Sequence, residues 1–136
     1  MISVQGRWSL DDLASPERLD EDIDELNTAV VALEKKRSAL TPEIGVDEFR
    51  EIIGLVEQIT AGARRLRAYA DLWFAEDTGN QSALAFQGRI EKLLTGVRNR
   101  TLFFELWWKG LPDETADRLL AASGDARYYL ETLRRF

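Results

Sequence analysis

The chain has 136 residues, of which 45% are hydrophobic and 31% charged, and its formal net charge is −6. The length predicts one domain over residues 1–136, and the acidic balance argues against nucleic acid or an anionic membrane as a partner. There is no histidine and no cysteine, which excludes disulfide bonds, thiolate metal sites and histidine-dependent catalysis. We therefore expect no enzymatic activity and no cofactor in this chain alone. No apolar run is long enough to span a bilayer, and we expect a cytoplasmic location.

The first helix is predicted to begin at Pro16, because Ser15 is a favourable N-cap and proline suits the first helical position. Apolar residues then recur at intervals of three or four, as in a coiled coil, at Leu19, Ile23, Leu26, Val30 and Leu33. The acidic residues 20–25 fall in the first turns and the basic residues 35–37 in the last, which suits the helix dipole. We interpret the acidic run as a solvated face, with a site for a hard metal ion as the alternative.

Residues 41–45, Thr-Pro-Glu-Ile-Gly, are predicted to break the helix, because proline and glycine resist its continuation. A second helix is predicted from about Val46 to a turn at 77–80, and a third from that turn to about Lys109. The apolar stripe of the second helix contains Phe49, Ile52, Val56, Ile59, Ala63, Leu66, Ala70 and Trp73. The stripe of the third helix contains Phe86, Ile90, Leu93, Val97, Thr101, Phe104 and Trp108.

Two short helices are predicted near the C-terminal end of the chain. The first begins at residues 112–114, Pro-Asp-Glu, and ends at Ser123 and Gly124. Asp125 is the expected cap of the second, which covers 126–136. The sequence thus predicts an all-α fold, with three long antiparallel helices in a bundle or coiled-coil-like hairpin array followed by two short helices.

The stretch RTLFFELWWKG, residues 100–110, concentrates aromatic side chains at Phe103, Phe104, Trp107 and Trp108. At about 100° per residue they form two pairs, Phe103 with Trp107 and Phe104 with Trp108, which together cover about 140° of the helix surface. This is wider than a seam between two helices, so one pair is expected to face the bundle and the other to need a second cover. That cover is either a domain outside this chain or the C-terminal helices, through Leu119, Leu120, Tyr128, Tyr129 and Leu133.

Two further groups in the second helix are candidates for binding. Arg64, Arg65 and Arg67, echoed by the arginines at 134–135, suit a peptide carboxylate or a phosphate, with surface ion pairs as the plainer interpretation. Tyr69 and Trp73 are four residues apart and share a face of the helix, where packing in the core is the plainer interpretation.

Three segments of the chain have a distinctive sequence: YADLWFAEDTGNQSALAFQGRIEKLLTGVRNRTLFFELWWKGLPDE at 69–114, SGDARYYLETLRRF at 123–136 and RWSLDDL at 7–13. Through them, most of the chain, from about residue 8 onward, resembles the N-terminal helical region of oligoendopeptidase F enzymes, which belong to the thimet-oligopeptidase-like zinc metallopeptidases. These segments are helix sequences and contain no catalytic signature. The resemblance implies a parent enzyme that cleaves short peptides in a channel between a helical part and a catalytic part.

In such a parent, two histidines of an HExxH motif and a further glutamate hold zinc, and no position of this histidine-free chain matches that motif. The resemblance implies that this chain walls the peptide channel, with Arg64, Arg67, Tyr69 and Trp73 as channel contacts. Its partners would be the catalytic domain, in cis or in trans, and an oligopeptide substrate. The four aromatic residues at 103–108 would form the domain interface.

Family members continue past the position of Phe136 towards the catalytic part, so the chain is expected to be a fragment or a stand-alone copy of the N-terminal region. Two other functions stay open at this point. One is a stand-alone helical module that binds a partner through Phe103, Phe104, Trp107 and Trp108. The other is a helical bundle that self-associates, which the long apolar stripes favour.

Overall fold

The computed structural model describes residues 16–136, with side chains from residue 18 onward. This part of the chain contains two short 3₁₀ turns, no strand and five α-helices: α1 (Pro16–Lys35), α2 (Val46–Glu76), α3 (Gln81–Gly110), α4 (Asp113–Ala121) and α5 (Arg127–Arg135). The predicted all-α fold of three long and two short helices is confirmed. The segment RWSLDDL and the expected cap Ser15 lie outside the described residues.

The three long helices pack together around one apolar core. Helix α2 packs against both α1 and α3, and α1 also contacts α3. The predicted stripes supply most of this core, including the buried residues Leu26, Val30, Leu33, Phe49, Ile52, Val56, Ile59, Leu66, Ala70, Ile90, Val97, Phe104 and Trp108. Ile53 and Leu94 lie outside the predicted stripes and are also buried, because a helix with two neighbours buries a wider face than a single seam.

The ends of the helices show where local chemistry overrides the apolar pattern. Helix α1 ends at Lys35 and a 3₁₀ turn follows at Arg37–Ala39, so Lys36 lies beyond the α-helix, where its Nζ approaches Glu48 at 3.2 Å. At the start of α3, the side chain of Asn80 accepts hydrogen bonds from two backbone amides, as an N-cap does. The prediction that Asp125 caps the last helix is wrong. Asp125 lies within a second 3₁₀ turn, and its side chain makes no cap hydrogen bond to α5.

Trp108, in the last turns of α3, fixes the C-terminal helix against the bundle. Its side chain is 0% exposed, its indole Nε1 donates to the carbonyl oxygen of Leu130 at 2.9 Å, and its ring stacks on Phe49 at 5.7 Å between centroids. Arg134 of α5 donates to the backbone oxygens of Trp108 at 2.7 Å and Leu111 at 2.6 Å. A cation thus meets the carbonyl end of α3, where the helix dipole favours it.

Helix α4 is tied to the same end of the bundle by two arginines. Arg118 donates to the backbone oxygens of Pro42 at 3.2 Å and Ile44 at 2.9 Å, in the connection between α1 and α2. Arg50 of α2 donates to the backbone oxygen of Ala122 at 2.9 Å, just after α4. These side chains satisfy carbonyl groups that the connections leave without a helical partner.

Replacing Trp108 with phenylalanine is expected to lower the free energy of unfolding by about 2 kcal/mol, because one buried hydrogen bond and part of the core volume are lost. The measurement is urea denaturation followed by far-ultraviolet circular dichroism. Trp73→Phe, at a half-buried tryptophan of α2, is the matched control and is expected to cost less. An equal loss in the two variants would contradict the structural role of Trp108.

Candidate binding grooves

The four aromatic residues at the end of α3 divide as two pairs. Phe104 and Trp108 are buried in the bundle, while Phe103 and Trp107 are half-buried. The cover over the first pair comes partly from within the chain, through the C-terminal helices. Leu119, Leu120 and Leu130 are buried there. Tyr128, which was also expected in the cover, is 80% exposed instead. Because Phe104 and Trp108 are buried, an interface role stays open only for Phe103 and Trp107.

A groove of about 470 Å³ lies between the middle of α2 and the first turns of α5. We call it the α2–α5 groove. One face of α2 forms its first wall, because residues at intervals of three and four share a face of a helix. The lining comprises Glu57, Thr60, Ala61 and Arg64 of α2, then Asp125, Ala126, Tyr128, Tyr129 and Thr132.

Tyr129 is the polar centre of the α2–α5 groove. It also lines a small cavity of about 90 Å³ between the long helices, together with Thr60 and Glu105. Burial and then the nearby Glu105 carboxylate raise the pKa of Tyr129, while Thr60 and Arg64 act in the opposite direction. The Tyr129 hydroxyl therefore stays protonated at neutral pH, and it is able both to donate and to accept a hydrogen bond.

A second groove, of about 540 Å³, lies between the C-terminal end of α1 and the last turns of α3. We call it the α1–α3 groove. Its lining comprises Glu34, Arg37, Leu40, Asn99, Arg100, Leu102, Phe103, Leu106 and Trp107. The half-buried pair Phe103 and Trp107 thus opens into this groove, beside Leu106, which is 62% exposed.

The charges of the α1–α3 groove are arranged in two different ways. Arg100 forms a two-pronged ion pair with Glu34, with its Nε 3.2 Å from one carboxylate oxygen. This contact lowers the pKa of Glu34, mainly through the hydrogen bond from Arg100 and to a lesser degree through its charge, while burial acts in the opposite direction. The guanidinium of Arg37 lies instead over the ring of Phe103, 5.0 Å from its centroid.

The four predicted channel contacts do not come together in one site. Arg64 lines the α2–α5 groove and Arg67 is exposed outside it. Tyr69 and Trp73 are half-buried and pack with Phe86 of α3, each ring centroid 5.6 Å from the Phe86 ring. At 100° per residue the arginine pair and the aromatic pair lie about 170° apart around α2. One ligand on a single face of the helix therefore cannot contact both pairs.

The acidic run of α1 stays dispersed along the helix. Asp22 forms an ion pair with Arg65 of α2 at 3.6 Å. Within the described residues, no three side chains of the metal-binding types come together in one place. In the same part of the chain, no helix combines the length and the apolar content that crossing a bilayer requires.

Sequence reasoning did not identify the α2–α5 groove. The only available signal was the spacing of Glu57, Thr60, Ala61 and Arg64, a polar and small-residue face opposite the apolar stripe of α2. The tyrosines were assigned to the aromatic cover instead. Their place in the groove follows from the direction in which α5 returns along the bundle, which depends on the distant contact between Trp108 and Leu130.

In comparisons with known proteins, no family model, no curated protein and no solved structure matches this chain. The resemblance to the oligoendopeptidase N-terminal region therefore stays a prediction drawn from the sequence segments that carry it.

Replacing Arg100 with glutamine is expected to raise the pKa of Glu34 towards its ordinary value, because the hydrogen bonds from the guanidinium are lost. An NMR pH titration of the Glu34 side-chain carboxyl carbon measures the change. A lowered carboxyl pKa stabilises the fold above the pKa of the unfolded chain, and this contribution disappears as the pH falls through the pKa of Glu34. Arg89→Gln, at an exposed arginine earlier in α3, is the control. An unchanged Glu34 pKa in Arg100→Gln would contradict the pairing.

Proposed function

We propose that this chain is a non-catalytic helical module that forms one wall of the peptide channel of a zinc oligopeptidase. The observation that carries the proposal is the α2–α5 groove, with Arg64 on one wall and Tyr128 and Tyr129 on the other. The sequence resemblance supports the identity of the parent enzyme. The absence of histidine from the sequence supports the assignment of zinc and hydrolysis to a separate catalytic part, in cis or in trans.

The size of the groove suits a short stretch of peptide. Ligand sites commonly measure about 300–1,000 Å³, and the α2–α5 groove, at about 470 Å³, lies within that range. Its open shape leaves one side of a bound peptide free, which is the arrangement expected of a channel completed by another domain. A single wall of this kind is expected to bind peptide weakly, because much of the ligand stays in water.

The chemistry of the lining suits a peptide backbone more than any one side chain. The Thr60 hydroxyl already donates to the backbone oxygen of Val56 at 2.9 Å, and the Tyr129 hydroxyl is hydrogen-bonded to Thr60. The acceptor sites that remain on the two oxygens match the amide N–H groups of an extended peptide. The exposed ring of Tyr128 offers an aromatic face to an apolar side chain. Arg64 offers a guanidinium to a peptide carboxylate. The groove therefore supports recognition of oligopeptides of varied sequence.

Peptide binding is tested by titrating the ¹⁵N-labelled chain with Ala-Ala-Phe-Leu-Ala that carries a free C-terminal carboxylate. We expect amide shifts in residues 57–64 and 125–132, with a dissociation constant in the millimolar range. Arg64→Gln should weaken binding about threefold, as the loss of an exposed charge pair does. Arg67→Gln removes the same charge from the same helix outside the groove and should leave the affinity unchanged.

Two outcomes of the titration would reject the peptide-channel proposal. One is shifts confined to residues outside the two ranges that line the groove. The other is an equal loss of affinity in Arg64→Gln and Arg67→Gln, which would indicate attraction to charge alone.

The exposure of Leu106 favours a second candidate function, a stand-alone interaction module. Leu106 is 62% exposed beside the half-buried Phe103 and Trp107, and a contiguous apolar patch that is partly exposed is typical of an interface. If this face mediates self-association, the mass in analytical ultracentrifugation should rise with protein concentration and Leu106→Ser should abolish the rise. A monomer at every concentration would contradict self-association.

A further inference from the structure

The small cavity that Tyr129 lines, of about 90 Å³, has a buried apolar end. We call it the Tyr129 cavity. Leu33, Val56, Ile59 and Phe104 form this end, and each of them is at most 8% exposed. They come from the three long helices, so the space between them is a gap in the packing of the bundle. Protein interiors contain few gaps larger than a water molecule, and one of this size calls for a physical explanation.

The Tyr129 cavity reaches the protein surface next to the α2–α5 groove. Its lining also includes Arg98 and Tyr129, which are exposed, and Glu105, which is half-buried. Thr60 and Tyr129 line both the cavity and the groove. Exposed side chains change rotamer on the picosecond to nanosecond timescale, so Tyr129 does not close the cavity permanently. A ligand in the groove therefore lies within reach of the cavity.

The polar groups of the lining leave the buried end without a free hydrogen-bond donor. The hydroxyls of Thr60 and Thr101 each donate to a backbone oxygen of their own helix, at 2.9 Å. The Glu105 carboxylate forms an ion pair with Lys109 at 3.1 Å. A charged group that entered the buried end would lose its water without gaining a partner there, which is costly. The lining therefore favours an apolar occupant.

The volume of the Tyr129 cavity sets the size of that occupant. An engineered cavity of about 150 Å³ in another protein holds benzene, which has six carbon atoms. In proportion, the 90 Å³ of the Tyr129 cavity holds a group of about three or four carbon atoms. The side chains of valine, leucine and isoleucine have this size. An aromatic ring is too large, and the methyl group of alanine leaves most of the volume empty.

We infer that the Tyr129 cavity is a side-chain pocket that binds one valine, leucine or isoleucine side chain of a peptide lying in the α2–α5 groove. The inference rests on the proposed function, which supplies the peptide. It adds a preference for one class of residue at one position of a groove whose other contacts suit the peptide backbone and a carboxylate. Burial of the side chain is favourable in proportion to the apolar area that it removes from water.

The first test compares the peptides Ala-Ala-Leu-Ala-Ala, Ala-Ala-Phe-Ala-Ala and pentaalanine in titrations of the chain labelled with ¹³C at its methyl groups. The readout is the methyl resonances of Leu33, Val56 and Ile59, which line the cavity and not the groove. We expect the leucine peptide to shift these resonances and to bind about tenfold more tightly than pentaalanine, as extra carbon atoms in an apolar pocket predict. The phenylalanine peptide should leave the resonances unchanged.

Isobutanol tests the Tyr129 cavity separately from the groove, because it has the branched carbon skeleton of the leucine side chain and no peptide group. We expect isobutanol to shift the same methyl resonances, and benzyl alcohol at equal concentration to leave them unchanged. If peptides shift the amides of the groove while neither the leucine peptide nor isobutanol shifts the methyl groups, the inference is overturned and the proposed function stands. If isobutanol shifts the methyl groups but no peptide binds, the proposed function and the peptide occupant are both rejected.

A pair of matched variants checks that the preference arises in the cavity. Thr101 lines the cavity and not the groove, whereas Thr95 is exposed earlier in α3. Thr101→Ile fills part of the volume and should abolish the tenfold preference for the leucine peptide over pentaalanine. Thr95→Ile makes the same chemical change outside the cavity and should retain the preference. Circular dichroism checks the fold of both variants. The same preference in both folded variants would overturn the inference, and if Thr101→Ile does not fold, the comparisons on the unaltered chain decide.

Discussion

The packing of Trp108 is the constraint on which the rest of this structure depends. The three long helices each follow from their own apolar pattern, but the short α5 has no long stripe of its own with which to hold a position. Its place is set by contacts with the last turns of α3: the indole of Trp108 donates to Leu130, and Arg134 donates back to the carbonyl oxygens of Trp108 and Leu111. Each helix thus supplies a donor to the backbone of the other, through one buried and two partly buried hydrogen bonds, and leaving such groups unpaired is costly.

The contact between the end of α3 and α5 helps to shape both grooves. Because α5 is held at its Leu130 turn, Tyr128 and Tyr129 stand opposite the polar face of α2 that contains Arg64. Because Trp108 takes the buried position, the adjacent Trp107 is directed to the edge of the bundle, where it lines the α1–α3 groove. The two grooves are lined by different residues.

The sequence predicted what depends on local periodicity and did not predict what depends on distant contacts. The stripes from Phe49 to Ala70 and from Ile90 to Trp108 identified the long helices and most of their buried residues, because the spacing of apolar residues fixes one face of a helix. The stripe of the third helix already contained Phe104 and Trp108, but the sequence left open what covers the other aromatic pair, since that depends on where the C-terminal helices return. Arg134 was assigned to a carboxylate, a phosphate or a surface ion pair, and it does form an ion pair with Asp113 at 2.8 Å. It also donates to the carbonyl oxygens of Trp108 and Leu111, more than 20 residues away in the sequence, which local patterns do not predict. The α2–α5 groove exists only once that return is fixed.

The measurement that tests this account most directly is native-state amide hydrogen exchange on the Trp108→Phe chain, compared with the unaltered chain. If Trp108 holds α5 on the bundle, amides at 127–135 should lose protection while amides at 52–66 in α2 keep theirs, since the long helices retain their own core. Loss of protection to the same extent in both segments would mean that Trp108 supports the fold as a whole. Unchanged protection at 127–135 would mean that α5 is held by other contacts, and either result would contradict the central role assigned to this residue.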